Sequence, residues 1–304
     1  MANISVGAAI GSGFGLIARR PLSVVVWGLL PMIFQVTMLA IVAPAYLEMF
    51  SQLRSGASPV QAMASPQMSQ ISGIVQLLNL AQLAISAVIY CAVFRAVLHP
   101  ERSSFAYLRA GAEEFFVGVL IFGGSIALFL ALLVLMIPII IVAAIVGVAA
   151  HGSAAATVIL FPILFLVIMI ALLIVGLRFT FVGPMIVADG KFHLFESWTM
   201  TRGHVGSLFL IGLGLFGVFL LFEIVLIAVF IGLGAGAIGM LGGLEAARTA
   251  FEQSPQAALM RILPLLAVYL VLMIPVSGCM IAIGGAPWAK AYQDLLPSAA
   301  DTFA

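Results

Sequence analysis

Residues 115–148 read FFVGVLIFGGSIALFLALLVLMIPIIIVAAIVGV, without one charged or histidine side chain. A bilayer's hydrocarbon core is about 30 Å thick and is crossed by about 20 helical residues. An apolar run of this length is therefore a membrane span, long enough to tilt or to extend beyond the bilayer. Five further runs of the same character lie at 22–47, 71–98, 154–187, 206–238 and 260–283. Together they account for a chain that is 64% hydrophobic and 8% charged, with a mean hydropathy of +1.29. The longest hydrophilic loops run to roughly 25 residues, too few for a soluble domain. The sequence thus predicts an all-α, polytopic integral membrane protein with six transmembrane helices in a single membrane domain, 1–304.

Charge sets the orientation. Arg19, Arg20, Arg95, Arg102, Arg109, Arg178, Lys191, Arg202 and Lys290 fall on the side that carries the N-terminus, the second and fourth loops and the C-terminus. The other side holds Arg54, Arg248 and Arg261. Lys and Arg accumulate on cytoplasmic loops, so both termini are expected in the cytoplasm of a bacterial inner (plasma) membrane. Arg19-Arg20, an apolar run and Ala43-Pro44-Ala45 imitate a cleavable signal. A signal's apolar core is only about 7–15 residues, and residues 22–42 exceed that, so an uncleaved anchor is expected. With net charge +1 the chain lacks the basic footprint of a nucleic-acid binder. On the outer side, 52–70 reads as a flexible loop, 244–248 as a short helix, and His151-Gly152-Ser153 as a tight turn.

Each inner segment also contains a candidate amphipathic stretch. Val6, Ile10, Phe14 and Ile17 share one helical face ahead of Arg19-Arg20-Pro21. Phe105, Leu108, Ala112 and Phe115 repeat the spacing around Arg109. Phe192, Phe195 and Trp198 precede Arg202-Gly203-His204. Such stretches suit helices lying in the headgroup layer, apolar face toward the chains and cations toward phosphates. About three interfacial helices are expected. The arginines recur at intervals of about 90 residues, which suggests a threefold internal repeat with units 1–100, 101–188 and 189–304.

The segment from Arg178-Phe179 through Pro184, Asp189-Gly190 and Phe195-Glu196-Ser197-Trp198 to Thr201-Arg202-Gly203-His204 resembles the bacterial six-span family of YciC-like inner-membrane proteins. The same family occurs as the membrane domain of some glycerophosphodiester phosphodiesterases. Arg19-Arg20-Pro21 before the first span also looks like that family's opening. The motif covers about 30 residues, while the six-span layout agrees over most of the chain. The resemblance implies an envelope-related membrane module. It does not carry over hydrolysis, because the phosphodiesterase domain has no counterpart in these residues.

Among single residues Glu223 is the sharpest. A carboxylate at bilayer depth costs about 3 kcal/mol on the insertion scale, so it should face protein or water, or be protonated. Gln76, Asn79 and Gln82, three residues apart and continued by Ser72 and Ser86, would line one stripe of the second span. That stripe is either the wall of a polar pathway or a set of interhelical hydrogen bonds. Gly7, Gly11 and Gly15, and the pairs Gly232/Gly236 and Gly239/Gly243, are spaced for close helix packing within one chain or between copies. Pro31, Pro138, Pro162, Pro264 and Pro275 lie inside spans, as static kinks or as hinges. Cys91 and Cys279 read as small buried hydrophobes. His99, His151, His193 and His204 show no zinc spacing, although His193 and Glu196 could share a helix face. No nucleophile elbow is present.

No cofactor, metal or catalytic residue is therefore expected. Lipid headgroups are expected at Arg19, Arg20, Arg109 and Arg202, since a guanidinium donates to phosphate in a bidentate fork. The best-fitting role is a non-catalytic inner-membrane protein, a lipid-associating or scaffolding envelope module, with anionic lipids and a protein partner or second copy as its partners. The alternative is a transporter or permease using Glu223 and the second-span amides.

Overall fold

The computed structural model describes residues 4–64, 66–101, 105–149 and 154–296. Two of the sequence readings, the His151-Gly152-Ser153 turn and the position of Arg102, lie outside them. The described residues form eleven α-helices and one short 3-10 turn, with no strand among them. In chain order these are α1 (Val6–Arg19), α2 (Pro21–Arg54), α3 (Pro59–Met63), α4 (Pro66–Leu98), the turn Phe105–Tyr107, α5 (Ala112–Ala149), α6 (Ala154–Phe179), α7 (Val182–Asp189), α8 (Leu194–Met200), α9 (Val205–Met240), α10 (Leu244–Gln253) and α11 (Pro255–Leu295). Six segments are long and apolar enough to cross a membrane: α2, α4, α5, α6 run on into α7, α9 and α11. The chain is a multi-pass helical membrane protein.

The helix ends follow from local chemistry. Ser5 starts α1 by accepting the Ala8 N–H at 3.4 Å. Pro21 has no N–H and disfavours helix in the residue before it, so Arg20 leaves the helical region and α2 restarts with proline at its first position. Gly190 closes α7 at φ 68, where a Cβ would be strained. The prolines at 31, 44, 138, 162, 264, 275 and 287 all sit inside continuous helices.

At the centre stands α11, packed against α1, α2, α4, α9 and the short α7 and α10. Its tightest crossing is with α2, where Gly28 meets Gly278. A Cβ on Gly28 would run into the Ile274 carbonyl, and one on Gly278 into the Val24 carbonyl. Small residues let the two backbones touch. The buried core then gathers at one end of the bundle. Ala9, Phe181, Leu208, Ile211 and Ile283 form one cluster. Val24, Trp27, Val93, Tyr107 and Ala286 form another, and Cys91, Phe94, Val182 and Ile186 a third. Both α1 and α11 contribute, so the start of α1 and the end of α11 lie at this same end. At the opposite end Arg54 donates to the carbonyls of Glu252 (3.0 Å) and Phe251 (3.5 Å), tying the end of α2 to α10.

Three expectations are corrected here. Residues 105–111 do not continue an amphipathic helix into Phe115; they make a 3-10 turn and a loop, and the helix begins at Ala112. The three segments expected to be amphipathic helices are thus built differently: one helix, one turn, and the pair α7 and α8. Nor does α1 lie free with Val6, Ile10, Phe14 and Ile17 toward lipid. It buries Ala9, Gly13 and Leu16 against α11 and α9, with Ile10 seated over Gly214, and leaves Phe14 exposed. Finally, Gly7 and Gly11 face open space, and a Cβ on Gly15 would meet only Arg19; the close contact is made by Gly13, where a Cβ would come within 2.8 Å of the Ile283 Cα. Of the second set, only at Gly236 would a Cβ make van der Waals contact, with Leu265.

Candidate functional site

The packed end is organised by a buried arginine. Arg95, near the end of α4, has a side chain 3% exposed and is held by three acceptors. Its Nη1 donates to the Tyr107 carbonyl at 2.6 Å, and its Nη2 to Glu113 Oε2 and Glu114 Oε1, each at 2.6 Å. Trp27 adds an indole N–H to the Ala106 carbonyl at 2.9 Å, and the Tyr107 hydroxyl donates to Pro100 at 3.2 Å. These bonds hold Ala106 and Tyr107 at φ 48 and 59, a left-handed conformation that costs an L-residue about 1–2 kcal/mol. The Arg20 guanidinium lies 5.8 Å from the centre of the Tyr107 ring. A turn fixed from below in this way presents a cationic face above.

That face borders a cavity of about 630 Å³ between α1, the end of α4 and the end of α11. Three cations stand on its wall: Arg19, Arg20 and Lys290. Lys290 Nζ is 2.9 Å from Asp294 Oδ1 and 3.4 Å from Gln293 Oε1. Neither Arg19 nor Arg20 has a carboxylate partner among the described residues. Ser12 and Gln293 supply neutral polar groups, while Ala8, Leu16, Ala96 and Val97 make an apolar wall. The site thus pairs surplus positive charge with hydrocarbon.

The motif between 178 and 204 makes the neighbouring corner of this end. The Ser197 hydroxyl donates to the Arg178 carbonyl at 2.8 Å, and the Thr201 hydroxyl to the Ser197 carbonyl at 2.9 Å; both residues are fully buried. Trp198 packs on Phe179 and takes the Arg178 guanidinium over its ring at 5.4 Å. These residues therefore have structural work: they fold α8 back against the end of α6. His193 Nδ1 sits 2.7 Å from Glu196 Oε1, and no group of three His, Cys, Asp or Glu able to hold a metal occurs among the described residues.

The expected residues are only partly brought together. Arg19 and Arg20 share the cavity; Arg109 and Arg202 are exposed at the same end but do not line it. Glu223 is exposed on α9 with no hydrogen bond or ion pair among the described residues. Gln76 and Asn79 are exposed on α4, and Gln82 is half-buried with Oε1 unpartnered. Since α4 and α9 do not form a packed pair, Glu223 and the amides are not one site. Polar side chains at membrane depth gather elsewhere, in a second cavity of about 630 Å³ that carries Gln35, Tyr90, Tyr269 and Ser277.

Sequence reasoning missed the Arg95 node and the use of Lys290 in the cavity. Adjacent carboxylates at the mouth of a span, Glu113-Glu114, facing an arginine at the end of the preceding one, were the available signal. No family model matches the chain, and neither a curated protein nor a solved structure matches it.

Proposed function

We propose that this chain is a non-catalytic, lipid-associating module of a bacterial inner membrane, of the YciC-like six-span kind, with the packed end and both termini in the cytoplasm. One observation carries the reading. Large apolar side chains, Leu22, Phe105, Phe115 and Phe195, stand 68–81% exposed at the same end as Arg19, Arg20, Arg109 and Arg202. Aromatic and aliphatic groups beside arginines are what a headgroup layer accommodates, rings at the level of the esters and guanidinium groups at the phosphates. This arrangement supports lipid association and calls on no catalytic group.

The test is thermal unfolding of the protein in nanodiscs. Anionic phosphatidylglycerol should raise the midpoint above that in zwitterionic phosphatidylcholine, and added salt should erase part of the difference by screening. Equal midpoints in the two lipids would count against lipid association. Impermeant labelling of cysteines introduced at positions 54 and 202 should place them in opposite compartments, with 202 inside.

A second reading, transport, is favoured by Glu223, a carboxylate well inside α9 on the exposed face of the bundle with no ion pair among the described residues. Glu223→Gln should leave folding intact. An unchanged cellular phenotype in that variant would remove the reason for this reading.

A further inference from the structure

We infer that the cavity between α1, α4 and α11 is a binding site for a phosphate-bearing anion, with the phosphate held by Arg19, Arg20 and Lys290. The inference rests on the lipid-associating reading and narrows it from a charged surface to one pocket. Three features of the pocket support it. Its cations are in excess: Asp294 neutralises Lys290 in part, and nothing among the described residues neutralises Arg19 or Arg20. Like charges lining one cavity repel, and a bound dianion relieves that repulsion while accepting several charge-assisted hydrogen bonds. The donors are also of the right kind, two planar forks and one flexible ammonium.

The pocket's size and lining point to more than inorganic phosphate. About 630 Å³ lies within the range of about 300–1,000 Å³ typical of small-molecule sites and leaves room beyond the phosphate itself. Ala8, Leu16, Ala96 and Val97 offer that remainder an apolar wall. Gly11 keeps the pocket open, since a side chain there would enter space that no other group fills. A phosphate esterified to a glyceride fits this division, phosphate to the cations and glycerol backbone to the aliphatic groups.

The Arg95 node steadies one side of the pocket through Arg20. Arg20 rests over the Tyr107 ring, and Tyr107 is locked by its own carbonyl and hydroxyl bonds. On the other wall, α1 is clamped by the Gly13 contact with Ile283. Both arginines therefore start from an ordered backbone, which lowers the entropy lost on binding.

The experiment uses the full chain in phosphatidylcholine nanodiscs, titrated either with phosphatidic acid in the disc or with inorganic phosphate in solution. Unfolding midpoint and quenching of intrinsic tryptophan fluorescence are the readouts. Phosphatidic acid should stabilise the protein, and Arg19→Gln and Lys290→Gln should each weaken the response about tenfold. Ser12→Asp, which sets a carboxylate among the cations, should abolish it, while Lys191→Gln, outside the pocket, should not change it. Unliganded midpoints of the pocket variants equal to the parent's exclude misfolding as the cause. Saturation by inorganic phosphate with the same variant sensitivity would keep the phosphate site and assign it to a soluble anion. A lipid response that survives all three pocket variants would overturn the site and leave surface association standing. The absence of any response to phosphatidic acid, phosphatidylglycerol or phosphate would overturn both.

Discussion

The two ends of this bundle obey different rules. Around Trp27, Arg95 and Ile283 side chains are buried as completely as in a soluble protein. Around Leu133, Ile140 and Leu166 they are half exposed or more. The most apolar stretch of α4 is 33% buried and that of α5 is 0% buried, although α5 is the more hydrophobic helix. Hydrophobicity and burial therefore run in opposite senses. In lipid an apolar side chain gains nothing by leaving its surroundings, so oily helices need no partners there. Packing concentrates where something else demands it: a charge to neutralise, a carbonyl to satisfy, or glycines that let backbones meet.

The largest test of that contrast is Arg95→Ala. It would leave Glu113 and Glu114 facing each other without a cation and free the strained turn, and breaking a buried pair costs about 3–5 kcal/mol. The expected result is a marked fall in unfolding midpoint in detergent. Replacing all three charges together, with Arg95→Met, Glu113→Leu and Glu114→Leu, should cost less than the single change. If Arg95→Ala proved as stable as the parent, the packed end would owe nothing to its ion pairs.

Next in size is Gly278→Val. Its Cβ would strike the Val24 backbone and force α2 away from α11, and overpacking of this kind costs about 1–3 kcal/mol. Gly217→Val, in open space on α9, should be nearly silent in the same assay. Equal effects at the two sites would erase the distinction between ends.

Ser197→Ala should be milder. It deletes the bond to the Arg178 carbonyl and should cost about 1 kcal/mol, read as a lower midpoint. The smallest effects belong to Leu133→Ala and Leu166→Ala, which should stay within about 0.5 kcal/mol because both side chains point outward.

Much of the layout was legible in the sequence. Long apolar runs report span number directly, and the six expected spans match six membrane-length segments; the fourth, expected at 154–187, is broken into α6 and α7, while others run past their apolar stretch through polar ends, as 48–54 do in α2. The short helix expected at 244–248 is the start of α10. Failures came where spacing was asked to stand for contact. Phe105, Leu108 and Ala112 have helical spacing, yet Arg95 takes the Tyr107 carbonyl and turns the chain aside. Gly7, Gly11 and Gly15 form the more visible ladder, but it is Ala9 and Gly13 that meet α11, because the partner's position decides which face counts. The basic cavity was half legible. Arg19 and Arg20 are marked by their place before a span, whereas Lys290 joins them only through the long return of α11.

That return also bears on how the protein is made. The helix that seats Gly28 leaves the ribosome well before the helix that seats Gly278. Until α11 emerges, α1 and α2 wait in the membrane with their closest neighbour missing. The basic pocket, walled by α1 and α11, comes into being only once α11 has been made, so a chain interrupted before it would inhabit the bilayer without the pocket.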